Sequence, residues 1–301
     1  MATQYTSYWL YQKYETRGSQ APIPAYPNVW SVDGDGTMPK VIKTENDTAC
    51  GYVPTGGTPI YEWQTVEGYV CNECTPTKAM IHDDSGNTFI ISGSGEITQS
   101  ETSGYASAAT DVAVTAGATS IGNNAFSGFT GIQFARIPNT VTSIGDGAFS
   151  GCSAMFECQI PYGVTSIGDS AFINSTSLAY LDLPDTITSV GRGAFESCLN
   201  FRYVTIPSGL TSIPEYCFYN CDGLSDIELP SGITSIGASA FQNCDGIYSL
   251  ICHATTPPTL GSNALTGTSS NLKIYVPASS VNAYKSASGW STYADKIFSI
   301  S

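Results

Sequence analysis

Ile121-Gly122, Ile144-Gly145, Ile167-Gly168, Val190-Gly191, Ile213-Pro214 and Ile236-Gly237 fall 23 residues apart. Five residues after each Ile or Val stands a phenylalanine: Phe126, Phe149, Phe172, Phe195, Phe218 and Phe241. Pro138, Pro161, Pro184, Pro207 and Pro230 keep the same step. A fixed period without slippage marks a solenoid. Each unit is too small to bury its own apolar positions and does so only by stacking on the next.

The unit at residues 161–183 gives the expected local structure. Val164 and Ile167 point inward from an extended segment, and Gly168 turns the chain. Ala171 and Phe172 sit on a short helical turn and fill the centre, and Leu178 closes that turn. Leu181 and Leu183 alternate with Tyr180 and Asp182, the two-residue period of a half-buried strand. Pro184 then ends the strand. Stacked units turn each position into a column, with phenylalanine as the central one.

Cys152, Cys198, Cys221 and Cys244 share one repeat position, three residues after Phe, and Ser175 takes the remaining slot. A row of reactive or metal-binding thiols is one reading. The favoured reading is a small apolar filler with a weak donor, because Ser substitutes for it and no His accompanies it. Cys158 and Cys252 fall on inward strand positions and read the same way.

The formal net charge is −14. Between residues 137 and 272 the only basic residues are Arg192 and Arg202, against eleven acids. Such a surface repels phosphate, which argues against nucleic acid and anionic membranes as partners. It is compatible with neutral glycans, cationic protein patches or Ca²⁺. No stretch reaches the roughly 18 apolar residues of a membrane span. The first residues, Met-Ala-Thr-Gln-Tyr-Thr-Ser-Tyr-Trp-Leu, lack the basic start and apolar run of a signal peptide, so folding in a cytoplasm is expected.

The unit Ile-Pro-x-x-Val-Thr-Ser-Ile-Gly-x-x-Ala-Phe-x-x-Cys resembles the BspA-type leucine-rich repeat of bacterial surface proteins. The resemblance is close over residues 115–252. Leu272-Lys-Ile-Tyr-Val-Pro277, Val281-Asn-Ala-Tyr-Lys285 and Gly289-Trp-Ser-Thr-Tyr293 resemble the closing cap of such arrays. It implies a mainly β fold with short helical turns: a leucine-rich-type solenoid of 23-residue repeats with N- and C-terminal caps, preceded by a small β-rich module. The expected divisions are a β-rich anchoring module at 1–76, an N-terminal cap at 77–114, six repeats at 115–252, and an irregular last repeat with C-terminal cap at 253–301. Related arrays serve as adhesins, host-protein binders and phage surface proteins.

Residues 1–76 differ in composition, with Tyr5, Tyr8, Trp9, Tyr11 and Tyr14 crowded at the start. Tyr8-Trp-Leu-Tyr-Gln-Lys-Tyr14, Asp33-Gly-Asp-Gly-Thr-Met38, Asn46-Asp-Thr-Ala-Cys-Gly51 and Tyr69-Val-Cys-Asn-Glu-Cys74 resemble an N-terminal segment of structural proteins, of head or tail fibre type, from crAss-like and related phages of gut Bacteroidales. This resemblance implies a virion-anchoring module with an exchangeable display domain. Virion structural proteins are then the expected partners of residues 1–76. A bacterial surface or mucin glycan, or a protein, is the expected partner of the repeats. The expected location is the virion surface, after assembly in the host bacterial cytoplasm. The alternative is a BspA-like adhesin on a bacterial cell. Fibre-like proteins are often oligomers, yet no heptad run specifies a trimer.

Cys71-x-x-Cys74 with Cys50 and His82 offers four zinc ligands, but a second tight pair is missing, so a disulfide or free thiols are favoured. Asp33-Gly-Asp35-Gly begins like a calcium loop, but Glu45 falls at position thirteen, and a plain turn is favoured. No nucleophile elbow, P-loop or His-Glu-x-x-His occurs. Asp226 and Glu228 sit side by side on one strand face and do not straddle a substrate as glycosidase carboxylates do. An enzyme is not expected, and no cofactor.

The outward strand positions are Phe134 and Arg136, Glu157 and Gln159, Tyr180 and Asp182, Tyr203 and Thr205, Asp226 and Glu228, Ser249 and Ile251. Phe134, Tyr180 and Tyr203 share a column, with Glu157 between the first two. Exposed aromatics on a rigid face are raw material for recognition; they also shield a sheet and pair across strands. The candidate ligand-binding residues are Phe134, Tyr180, Asp182, Tyr203, Asp226 and Glu228.

Overall fold

The computed structural model describes residues 95–114 and 117–300, together with strands Ser7–Glu15, Pro27–Ser31, Lys40–Val41, Thr58–Thr65, Lys78–Asp83 and Gly86–Ile91. In these six strands side chains are described only for Thr88, Phe89 and Ile91. The chain is mainly β, and its parallel ladders step by one repeat. Phe134 pairs with Glu157, Glu157 with Tyr180, and Tyr180 with Tyr203. A second parallel ladder joins Ser143–Ile144, Ser166–Ile167 and Ser189–Val190. The first four strands form a separate antiparallel sheet.

The third side of each coil is built from turns. Bonds from Ile173 N–H to Ser170 O and from Ser175 N–H to Phe172 O alternate with bonds to the next coil, from Ser170, Phe172 and Asn174 N–H to the carbonyls of Arg192, Ala194 and Glu196. Alternation of this kind prevents a continuous helix, yet it pairs nearly every backbone group on that side. The chain reverses at Ser170 and Asn174, with φ of 54° and 60°. Gly168 therefore does not make the turn, as the sequence had suggested. A Cβ on Gly168 would lie 2.6 Å from the backbone N of Asp146, so glycine is needed there for close approach between coils.

The core is the phenylalanine column. Rings from Phe126 through Phe241 stack at 5.2, 5.2, 5.6, 5.4 and 5.3 Å between centroids, and all six are buried. Beside it, the thiols of Cys152, Cys198, Cys221 and Cys244 donate to the carbonyls of Phe126, Phe172, Phe195 and Phe218 at 2.8–3.2 Å. Ser175 Oγ donates to Phe149 O at 3.0 Å. The position wants a small donor, which is why Ser and Cys exchange there.

Both ends are closed by coils that abandon the consensus. At the front, Thr88 pairs with Asp111 and Phe89 with Val112, so strands Gly86–Ile91 and Asp111–Val114 keep the same 23-residue step. Sequence register missed it because a β-bulge at Gly95/Glu96 shifts Ile97 opposite Ile121. Helix Gln99–Thr102, capped by Thr98 and Glu101, replaces the turns, and Thr102 Oγ1 donates to Ala125 O. Tyr105 stacks on Phe89 at 4.3 Å. At the back, Leu265 ends the Phe column, and Tyr284 and Trp290 cover it, both fully buried. Tyr284 Oη donates to Ala254 O at 2.8 Å, and Trp290 Nε1 to Pro258 O at 2.7 Å.

Both parallel sheets stop at one junction. The first runs up to Tyr203–Val204 and resumes with Asp226–Leu229, and the second stops at Ser189–Val190 and resumes with Ser212–Ile213. At the break in the second sheet stands Pro214. In the other coils the glycine here donates to the preceding coil, as Gly191 does to Ile167 O and Gly237 to Ile213 O, both at 2.8 Å. Proline has no N–H, and its ring needs space where a single Cβ would already collide. The turn side crosses the junction intact, with Phe195 N–H on Cys217 O at 2.9 Å. The coils on either side thus share a continuous core and turn side but separate sheets. Thr188 and Thr234 N–H donate to Thr165 and Thr211 carbonyls at 2.9 and 2.8 Å, whereas no such bond holds Thr211 N–H among the described residues. Amide exchange of Thr211 should be roughly tenfold or more faster than that of Thr188 and Thr234, read by hydrogen-exchange NMR. Equal protection at the three would refute the break.

Candidate recognition face

Alternation in the strands sends one set of side chains into the core and the other outward. Ala135, Cys158, Leu181 and Val204 are buried, while Phe134, Glu157, Tyr180 and Tyr203 stand on the outer face. Phe134 is 36% exposed, Tyr180 52% and Tyr203 56%. The predicted column is present, with Glu157 between Phe134 and Tyr180. Phe156 lies against Tyr180 edge to face at 5.6 Å and restrains that ring.

Between this face and the turn that follows each strand lies an open recess of about 430 Å³. Its floor holds Cys158, Ile160, Leu183 and Pro184; its walls carry Glu157, Gln159, Tyr162, Tyr180, Asp182, Asp185 and Thr205. Three coils contribute, and the walls follow repeat columns. Glu157 and Tyr180 form one, Gln159, Asp182 and Thr205 a second, and Tyr162 and Asp185 a third, directly after Pro161 and Pro184. Tyr162 is 78% exposed. Its turn is fixed by Val164 N–H on Pro161 O at 3.0 Å. Asp185 accepts from Ser208 N–H and Oγ at 3.1 and 3.2 Å.

Tyr180 and Asp182 therefore share one site, flanked by Tyr203 on one side and by Phe134, paired with the Glu157 wall, on the other. Asp226 and Glu228 lie beyond the sheet break and are engaged within the chain. Asp226 accepts from Tyr248 Oη at 2.8 Å, which pushes the tyrosine's pKa up, and Glu228 contacts His253 Nε2 at 2.6 Å. Tyr162 and Asp185 were not among the sequence candidates. Their only signal was their place after the repeated prolines.

Burial pushes the thiols of Cys152 and Cys244 up to about 12, and those of Cys158, Cys198, Cys217 and Cys221 upward as well. The nucleophilic and metal-binding form, the thiolate, is suppressed in this column. Cys50, Cys71 and Cys74, with the Asp33–Asp35 run, lie outside the described residues. For His82 only the strand backbone is described.

Coils of 23 residues, one outward parallel sheet and a stacked phenylalanine core define a leucine-rich-repeat solenoid. The sequence profile described as "BspA type Leucine rich repeat region (6 copies)" matches residues 100–221 and 153–273, and the chain belongs to that family. Among solved structures it is similar to a leucine-rich repeat protein from Bacteroides ovatus, at 22% identity and a TM-score of 0.55, over 68% of this chain and 58% of that one. The chain thus spans little more than half the length of that relative. It is also similar to the leucine-rich repeat protein of T. pallidum, at 22% identity and a TM-score of 0.50, over 63% of this chain and 86% of that one. These likenesses concern the fold. No curated protein matches the sequence.

Proposed function

We propose that the chain is a non-enzymatic recognition protein of a phage particle, with residues 1–76 attaching to the virion and the solenoid displayed outward to bind a bacterial surface or mucin ligand. The observation that carries recognition is the row of exposed rings, Phe134, Tyr180 and Tyr203, beside the recess at Tyr162 on a rigid sheet. Aromatics held by a scaffold bury contact area at low entropic cost. The separate antiparallel sheet of the first 65 residues supports a distinct attachment module.

A second reading, a BspA-like adhesin on a bacterial cell, is favoured by membership in the family. Mass spectrometry and antibody-labelled electron microscopy of purified virions separate the two. Abundant copies on particles are the expected result. Absence from particles, with the chain found on cells, would leave the adhesin.

A further inference from the structure

We propose that the recess between Tyr162 and Tyr180 receives a lysine or arginine side chain presented by a partner protein. This assignment rests on the recognition reading above and names the ligand chemistry of that site. Three carboxylates, Glu157, Asp182 and Asp185, line the recess, and no Lys or Arg does. Arg136, on the strand beside Gln159, and Arg202, next to Tyr203, stand outside it.

Tyr162 and Tyr180 add two rings whose faces attract cations. Their phenols and the Gln159 amide offer acceptors that a guanidinium or ammonium can reach. A volume of about 430 Å³ admits one long side chain with part of its backbone.

The surroundings reinforce the sign. Eleven acids and two arginines lie between residues 137 and 272, and Arg192 is on the turn side, against Glu215 at 3.6 Å and over the Tyr216 ring. A field of one sign over a low-dielectric recess concentrates cations at its mouth. The site is also pre-arranged. Ser208 holds Asp185, Phe156 restrains Tyr180, and a turn closed by a backbone hydrogen bond carries Tyr162. Little order is left to be imposed on binding. A neutral sugar would use the rings but not the three charges, so a cation is the better match.

The test is a titration of the full chain with the blocked peptide acetyl-Gly-Gly-Lys-Gly-Gly-amide, its arginine counterpart and the Nε-acetyl-lysine version, followed by NMR shifts of the Tyr180 and Asp182 amides. The lysine and arginine peptides should saturate, with affinity falling as salt rises. Acetylation of the lysine, Asp182→Asn, Glu157→Gln or Tyr162→Ala should each weaken binding about threefold to tenfold. All three substitutions are on the surface, so unchanged circular dichroism identifies folded variants. Equal binding of the acetylated peptide, a tighter response to glucosamine or N-acetylglucosamine, or no shifts with any peptide would overturn the proposal. If the peptides fail while the chain still binds cells through this face, only the ligand assignment falls; if both fail, the recognition reading falls with it.

Discussion

Raising the pH from 8 to 10.5 should unfold this chain. Seven cysteines, Cys152, Cys158, Cys198, Cys217, Cys221, Cys244 and Cys252, are buried as free thiols, and burial raises the pKa of every one. A group whose folded pKa is raised contributes stability in full below its unfolded pKa. That contribution is lost as pH climbs from the unfolded value, about 9, toward folded values such as about 12 for Cys152 and Cys244. The loss is therefore alkaline. Each thiol that ionises only in the unfolded chain shifts the balance by up to about 1.4 kcal/mol per pH unit. Together they reach on the order of 10 kcal/mol one unit above the thiol pKa, comparable with a whole domain's stability of about 5–15 kcal/mol. Urea melts between pH 7 and 10.5 read the effect directly. Replacing Cys152, Cys198, Cys221 and Cys244 with Ser, as Ser175 already stands in that column, should remove about half of the slope. A flat profile in the parent chain would contradict the buried-thiol column.

The second large effect is at Phe172. Its ring stacks between Phe149 and Phe195 at 5.2 and 5.6 Å and is fully buried. Phe172→Ala should cost about 3–5 kcal/mol, from lost transfer energy plus a cavity that neighbouring coils cannot close. Phe172→Leu should cost less, since Leu265 fills the same column in the last coil. By contrast Tyr180→Ala, on the exposed face, should change stability by under about 1 kcal/mol. Chemical denaturation of the three variants measures the contrast. Similar losses for Phe172→Ala and Tyr180→Ala would mean that the column is not the core.

The repeat core was legible because it rests on spacing. Ile144, Phe149 and Pro161 mark positions whatever lies between them, and the structure buries the first two where the register puts them. The first coil was hidden because it lacks the Phe marker and holds its Ile out of step: Thr102 lies beneath Ala125 at the foot of the Phe column, and the bulge at Gly95/Glu96 puts Ile97, not residue 98, opposite Ile121. Pro214 was visible, but a pattern of apolar positions does not record donors, so the sheet break had to come from the backbone. The recess was half legible. Strand alternation exposes Tyr180 and Asp182. Tyr162 and Asp185 sit at a turn position that takes Asn139, Tyr162, Asp185 and Ser208 in successive coils, where no periodic preference singles them out.

The recognition proposed above places target binding on the outer face of the large sheet. Fluorescently labelled full chain applied to a panel of gut Bacteroidales strains, read by flow cytometry, tests it most directly. A variant with Tyr162→Ala, Tyr180→Ala and Tyr203→Ala should lose at least about tenfold in binding, because exposed aromatics dominate such contacts. A turn-side control, Asp146→Asn with Asp169→Asn, should bind as the parent does. Undiminished binding by the triple variant, loss in the turn-side control, or no binding of the parent chain to any strain would contradict it.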